Sequence, residues 1–450
     1  MGSGHPKPIL SLVNAIAIIV GTVVGAGIFR LPSLVAGALE SEALILAAWL
    51  AGGIISLIGA LCFAELATSH PHTGGEYHFL NRAYGRNCGF IFAWARMSVL
   101  QTGSIALLAF VAGDYANQIL PLGGQGAVLY AALAVIGLTG LNVLGLRQAM
   151  STQTLLFAAT LVGLFCVIAG GLTVIGQAEN VMPPEIPTAG AGSAAWGMAM
   201  IFVLLTYGGW NEAAYISAEV KNGRRNMVVA LVASIVLITL LYLAVNFVYL
   251  RVLTPEGVAA SSAVAHDVMQ AAFGNAGGTF IAVLVLVMVL ASMNVTIFTG
   301  ARTNFALGRD FPLFGFLSNW SDRGAPVQAL LLQGGIALAL VLLGALSRRG
   351  IETMVDYLSP VFWLFFLLTG LSVFVLRLRE PARERPFRVP LYPLTPALFC
   401  LVCAYMLYSS VSYTGIGALA GVAVLALGLP LLLLSRRMPA GAAPSSHSPE

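Results

Sequence analysis

The chain has 450 residues, of which 58% are hydrophobic and only 9% charged, and its formal net charge is +4. Soluble domains carry about 25% charged residues, so lipid must be the solvent for most of these side chains, and so small a charge excess argues against a nucleic-acid role. The 5 cysteines, Cys62, Cys88, Cys166, Cys400 and Cys403, all lie in or beside apolar runs, which builds no disulfide framework.

A helix needs roughly 20 apolar residues to cross a bilayer. Twelve stretches qualify: 9–36, 43–68, 88–118, 126–145, 151–176, 193–218, 227–251, 276–307, 327–346, 354–376, 393–412 and 415–435. Lipid offers no backbone partners, and segments this long and uniformly apolar satisfy their own hydrogen bonds as helices rather than as barrel strands. The first stretch is preceded only by His5 and Lys7 and followed by no small-residue cleavage pattern, so it is read as a span and not as a signal peptide.

That first span contains Gly21-Thr22-Val23-Val24-Gly25-Ala26-Gly27-Ile28-Phe29. Its glycines weaken a helix by up to about 1 kcal/mol each relative to alanine. Arg30 follows on the outer half, toward an outer vestibule. Glu65 stands near the inner end of the second span. The connector after it reads PHTGGEYHFLNRAYGR, a Gly-Gly turn and an amphipathic stretch that is either a short interfacial helix or an ordinary connector. Arg96, two turns into the third span, and Glu65 are the expected partners in ion pairs at an inner gate, with snorkelling to the inner surface as the other reading of Arg96.

The sixth span carries Thr206-Tyr207-Gly208-Gly209-Trp210-Asn211-Glu212. Glycine-interrupted segments five spans apart are the arrangement expected of two inverted repeats, and such paired interruptions point to a transporter binding site. A break frees backbone N–H and C=O groups in mid-bilayer, tolerated only against a wet cavity or a ligand. N–H groups near Gly25 to Ile28, at the positive end of the resumed helix, suit a carboxylate. Carbonyls near Thr22, Val23 and Val203 to Tyr207 suit an ammonium. The competing reading, glycines serving close helix packing, fits either segment alone better than both at matching positions. Glu212, just past the break, is read as contacting a cationic substrate, titrating during transport, or favouring the N-terminal end of the resumed half-helix. In the eighth span Ser292 and Thr296 share a face. They serve interhelical hydrogen bonding or, opposite Val23 and Val24, a sodium ion.

Of the 22 Lys and Arg residues, seventeen fall on one side of the spans, among them Arg82, Arg86, Lys221, Arg309, Arg377, Arg383 and Arg437, and three on the other, Arg251, Arg348 and Arg349. The positive side is the inner one, so both termini are expected in the cytoplasm of a cell-membrane protein. The tail, 438–450, is small, polar and Pro-rich, a disordered composition.

The runs GTVVGAGIF, PHTGGEY, YGGWNEAAYISAEVKNGRRN and GARTNFALGRDFPLFGFL resemble those of the amino acid–polyamine–organocation permeases, in order over spans 1 to 10. The resemblance implies an all-α membrane fold of 12 helices, with one repeat in 1–176, an inverted copy in 193–376, and two added helices in 393–435. It implies alternating access around a central amino-acid site. Carried over by position, Gly25, Ala26 and Gly27 are the carboxylate-binding turn, with Ile28 beside them and Thr22 at the pocket floor. Tyr207, Gly208 and Gly209 meet the amino group, and Trp210 is an aromatic lid or an interhelix packing residue. Thr160 stands where many bacterial members carry a coupling lysine, so lysine-based proton coupling is not expected.

The sequence therefore reads as a secondary transporter or exchanger of amino acids, neutral ones first and cationic ones or amines second. An amino-acid-binding sensor and an ion-translocating relative on the same scaffold are the rival classes. No enzyme activity, metal or other cofactor is expected, since no hydrolytic triad, metal cluster or nucleotide-binding loop occurs. The expected partners are the amino acid and the lipid bilayer. No disulfide-linked subunit is expected, because the outer connector Gln118 to Gly126 has no cysteine.

Overall fold

A computed structural model of the chain describes residues 10–39, 41–72, 74–144, 150–175, 193–216, 220–221, 223–319, 321, 325–347, 350–412 and 416–437. The N-terminal His5 and Lys7, the stretch Gly145 to Arg147, Arg323, Arg348, Arg349 and the tail 438–450 lie outside the described residues.

Apart from one isolated bridge between Leu10 and Val220, the described residues are helical or irregular. The first span is two helices, α1 (Leu12–Val23) and α2 (Gly27–Leu39), bent by 47° at the break. The second span is α3 (Glu42–Ser69), and α4 (Gly75–Tyr84) occupies the Gly-Gly connector. The third span runs as α5 (Arg86–Ala95), a single π turn (Arg96–Leu100) and α6 (Gln101–Ile119). Then come α7 (Gly126–Val143) and α8 (Met150–Ile175). The sixth span is α9 (Ser193–Thr206), a 3₁₀ turn (Trp210–Glu212) and the short α10 (Ala213–Ile216). The remaining helices are α11 (Gly223–Ala260), α12 (Val264–Asp310), α13 (Val327–Ser347), α14 (Gly350–Arg379), α15 (Leu394–Ser412) and α16 (Ile416–Arg437).

Among the described residues, 9 helices are long and apolar enough to cross a membrane, and the bent α1–α2 pair makes up to 10. Two shorter apolar helices, Thr160–Ile175 and Ala194–Thr206, fall where the fifth and sixth spans are expected.

One region differs from expectation. Residues 255–273, expected as an outer loop, are largely helical. They are set off from the spanning part of α11 by a break at Thr254 (φ 62°) before Pro255. A second break at Gly274 (φ 67°) sets them off from α12. Proline disfavours helical conformation in the residue before it, and glycine alone enters a positive φ without strain. The two turns thus cut off short helices that mixed polarity had hidden.

Helices in lipid associate by close packing and hydrogen bonding rather than by expelling water. The site is framed accordingly. Gly52 and Gly53 of α3 leave no room for a Cβ against Val203 of α9 and Thr239 of α11, so small residues set these helix separations. Around the breaks α3 packs on α11, α6 on α12 and α7, α8 on α12, and α2 on α9, with α1 and α2 also on α11. The broken pair α1–α2 therefore lies between α9 and α11, at the centre of the bundle.

The site where two chain breaks meet

Both glycine segments are non-helical where the sequence places their breaks. α1 ends at Val23, and Val24 leaves helical geometry with ψ 85° while its N–H still bonds Val20 O at 2.8 Å. Gly25 N–H turns back to Val23 O at 2.9 Å. Gly27 and Ile28 then open α2, and the first turn of a helix leaves N–H groups without intrahelical acceptors. In the sixth span α9 stops at Thr206, Gly209 adopts φ 111°, and Glu212 N–H closes onto Gly209 O at 3.0 Å.

The two breaks touch. A Cβ on Gly209 would stand 2.7 Å from Thr22 O, and one on Gly27 would stand 3.2 Å from Thr206 Cγ2. Around Gly25 the space is open, with nothing within 4 Å of an added Cβ. The Thr22 hydroxyl donates to Ile19 O at 2.8 Å and lies 3.5 Å from Gly209 O.

One tyrosine hydroxyl, given no role by the sequence reading, serves two of the freed carbonyls, and two others brace neighbouring helices. The fully buried Tyr242 of α11 places its hydroxyl 3.1 Å from Val23 O and 3.2 Å from Thr206 O, at the C-terminal ends of α1 and α9 together. Tyr115 of α6 donates to Phe29 O at 2.9 Å, and Tyr207 itself donates to Trp49 O at 3.0 Å. Val23 O, expected to be open to an ammonium, therefore already has Gly25 N–H and the Tyr242 hydroxyl beside it. The only signal in the sequence was a phenol in an otherwise apolar span, whose target lies 219 positions away.

Trp210 sits among aromatic rings. Its indole is 3% exposed, packed against Phe63 at 5.0 Å, Phe366 at 5.5 Å and Phe399 at 6.4 Å between ring centroids. With Gly208 and Leu204 it lines a small cavity facing Phe362 and Trp363 of α14. Trp210 thus packs among aromatic rings of α3, α14 and α15 while also lining that cavity.

The charged residues pair differently from expectation. Glu65, buried on α3, takes both Arg377 nitrogens at 2.7 and 2.6 Å and the Val389 N–H at 2.6 Å, with Arg385 at 3.7 Å. It fastens α3 to α14 and the segment after it, and is not a partner of Arg96. Arg96, in the π turn, instead reaches Glu212 Oε1 at 3.3 Å. At the other end of the third span, Asp114 accepts from Arg30 Nε at 3.1 Å. The third span thus meets both half-helices that follow the breaks, α2 through Asp114 and the stretch before α10 through Arg96. Near the inner pair, the buried Glu76 of α4 accepts from Asn211 Nδ2 at 3.0 Å. Sequence reasoning quoted this residue within a motif but gave it no role.

Thr160 is buried on α8. The Thr296 hydroxyl donates to Ser292 O at 2.9 Å within α12, and Thr296 O accepts from Gln101 Nε2 at 2.8 Å. The first of these bonds lies within α12, and the second joins α6 to the α12 backbone. Among the described residues no group of three or more His, Cys, Asp and Glu stands close enough to hold a metal.

Residues 10–425 match the family model described as amino acid permease. The mouse (Mus musculus) b(0,+)-type amino acid transporter 1 is 32% identical over 409 residues, covering 89% of this chain and 82% of that protein. The mouse Asc-type amino acid transporter 1 is 28% identical, covering 95% and 81%. The mouse large neutral amino acids transporter small subunit 2 is 29% identical, again covering 95% and 81%.

Proposed function

The chain belongs to the amino acid permease family, and on that premise we propose that it is a secondary transporter or exchanger that carries a neutral amino acid across the membrane by alternating access. The observation that carries the reading is the meeting of the two chain breaks. One helix start and two helix ends converge beside the open space at Gly25. A zwitterion has an anion for the former and a cation for the latter. In this reading the carboxylate lies on the Gly25–Ala26–Gly27–Ile28 turn, and the ammonium lies near the ends of α1 and α9, at Thr22 and Tyr207–Gly208–Gly209.

Neutrality of the substrate rests on Glu212. Its carboxylate faces Arg96, so it is engaged before any cationic side chain arrives. The twelve-span count, the inverted repeat and the cytoplasmic termini belong to the same proposal. They are supported by the reciprocal packing of α3 on α11 and α6 on α12, by the two shorter apolar helices, and by the loop charges. We read the chain as working without a disulfide-linked subunit, since the described connector between α6 and α7, residues 120–125, holds no cysteine.

Uptake of a panel of labelled amino acids into proteoliposomes tests the reading, with sodium, a pH gradient or internal amino acid added or withheld. Neutral amino acids should enter in exchange for internal amino acid, and replacing sodium by choline should leave the rate unchanged. Ion flux without amino acid, or binding without any counterflow, would assign the chain to a rival class. So would a sodium requirement abolished by Ser292→Ala overturn the sodium-independent reading.

A further inference from the structure

Glu76 lies outside the spans, in the first turn of α4, yet is only 3% exposed. Its Oε2 accepts from Asn211, and its buried Oε1 has no hydrogen-bond partner among the described residues. Asn211 sits in the 3₁₀ turn that follows the sixth-span break, next to Glu212. The Arg96–Glu212 pair, 3.3 Å apart, therefore lies beside the residue that holds Glu76, and both of its charges act on the Glu76 carboxyl.

An ionised carboxylate buried with one oxygen unsatisfied is costly. The neutral acid costs less: Oε2 keeps its bond from Asn211, and the vacant oxygen then carries an uncharged hydroxyl rather than a charge. We propose that Glu76 is a proton-binding site of the transport cycle, which takes up one proton when the turn bearing Asn211 and Glu212 is seated against Arg96 and gives it back when that turn moves away. With Glu76 neutral, no second negative charge from α4 acts on the Arg96–Glu212 pair. With Glu76 ionised, the second carboxylate competes for Arg96 and repels Glu212, which favours unseating the turn. A single proton is added to or lost from one carboxylate oxygen, exchanged with the aqueous phase, and no other bond changes. The site deepens the amino-acid permease reading and rests on it.

The electrostatics agree with the geometry. Burial pushes the Glu76 carboxyl up from its ordinary value to about 7, with Glu212 adding to the rise and Arg96 and the Asn211 bond opposing it. Other charges brought to α4 are engaged elsewhere. Glu380 after α14 binds Arg82 at 2.6 Å and His70 at 3.3 Å, Arg379 donates to Ala83 O, and Arg86 at the start of α5 donates to Asp310 O. Of the neighbouring histidines, burial lowers His70, and burial followed by His72 holds His78 down to about 4. A titration near neutrality is therefore assigned to Glu76 rather than to either of them.

The test uses the purified full-length chain and the proton itself as probe. Infrared difference spectra across pH 5 to 9 should show a protonated-carboxyl band titrating near pH 7 that is missing in Glu76→Gln. In proteoliposomes, counterflow of the best-transported amino acid should change severalfold between pH 6 and 8 in the wild type and stay flat in Glu76→Gln. A band retained in Glu76→Gln, or identical pH profiles for the two proteins, overturns the proposal. Should Glu76→Gln not fold, Glu76→Asp keeps a carboxyl with altered reach. A shifted midpoint there supports the assignment and an unshifted one overturns it. The spectra need no transport, so absence of amino-acid movement in the wild type would count against the permease reading and leave the carboxyl result standing.

Discussion

Gly25 is the residue on which a test of the substrate site turns. Gly27 looks equivalent in the sequence, but a side chain there meets Thr206, so Gly27→Val disturbs the packing of α2 on α9 as well as the carboxylate turn. A side chain at Gly25 enters open space, and Gly25→Val is expected to leave melting temperature and yield unchanged while removing transport. Gly209 is the opposite case. Its φ of 111° and its contact with Thr22 O make Gly209→Ala destabilising by about 1–3 kcal/mol, measurable as a lower melting temperature in detergent. Tyr242→Phe removes a buried hydroxyl from two carbonyls and should cost on the order of 1 kcal/mol or more, with slower counterflow. Glu76 carries a pH prediction with a definite sign. Its folded-state pKa lies above the unfolded value, so its protonation stabilises the fold fully below pH 4.5, and that contribution is lost as pH rises through about 7. Melting temperature should fall over that window in the wild type and less so in Glu76→Gln.

At the scale of elements, the helices were legible because lipid leaves no alternative to about 20 apolar residues in helical form. Glycines alone do not mark a break, since Gly52 and Gly53 sit inside the unbroken α3 and serve packing; the breaks were legible because glycine-rich segments recur five spans apart with polar residues beside the second. The helices within 255–273 were not, since Thr254, Pro255 and a polar-apolar mixture read as a loop. Nor were the partners of Glu65, which lie 312 and 324 positions away. Trp210 shows a similar limit: a tryptophan beside a broken helix has one spelling whether it covers a ligand or fills an aromatic nest. The ion pairs at the two ends of the third span belong to this scale as well. If Arg96–Glu212 latches the inner half of the sixth span, Arg96→Glu should reduce counterflow at least threefold, and adding Glu212→Arg should restore part of it. Equal loss in the single and double variants would assign the pair no role as a latch. Glu212 is 40% exposed as a side chain, so the expected effect is on rate more than on stability.

In the whole molecule, charge and packing divide the work. The arginine-rich connectors share one side of the spans, and part of that set is structural: Arg377 and Arg385 hold the buried Glu65, while Arg82 and Arg383 hold Glu380. Removing Glu65 as Glu65→Gln leaves Arg377 without its counter-ion and should reduce folded yield, whereas Gly25→Val should not. Where the two breaks meet, the described contacts are backbone groups and the Tyr242 hydroxyl, and in the proposed reading these backbone dipoles hold the substrate. Equilibrium binding of a labelled neutral amino acid to purified protein tests that central claim most directly, comparing the wild type with Gly25→Val at matched folded concentration. The account predicts saturable binding to the wild type and at least tenfold weaker binding to the variant, with both melting at the same temperature. Equal affinity in the two proteins would contradict it.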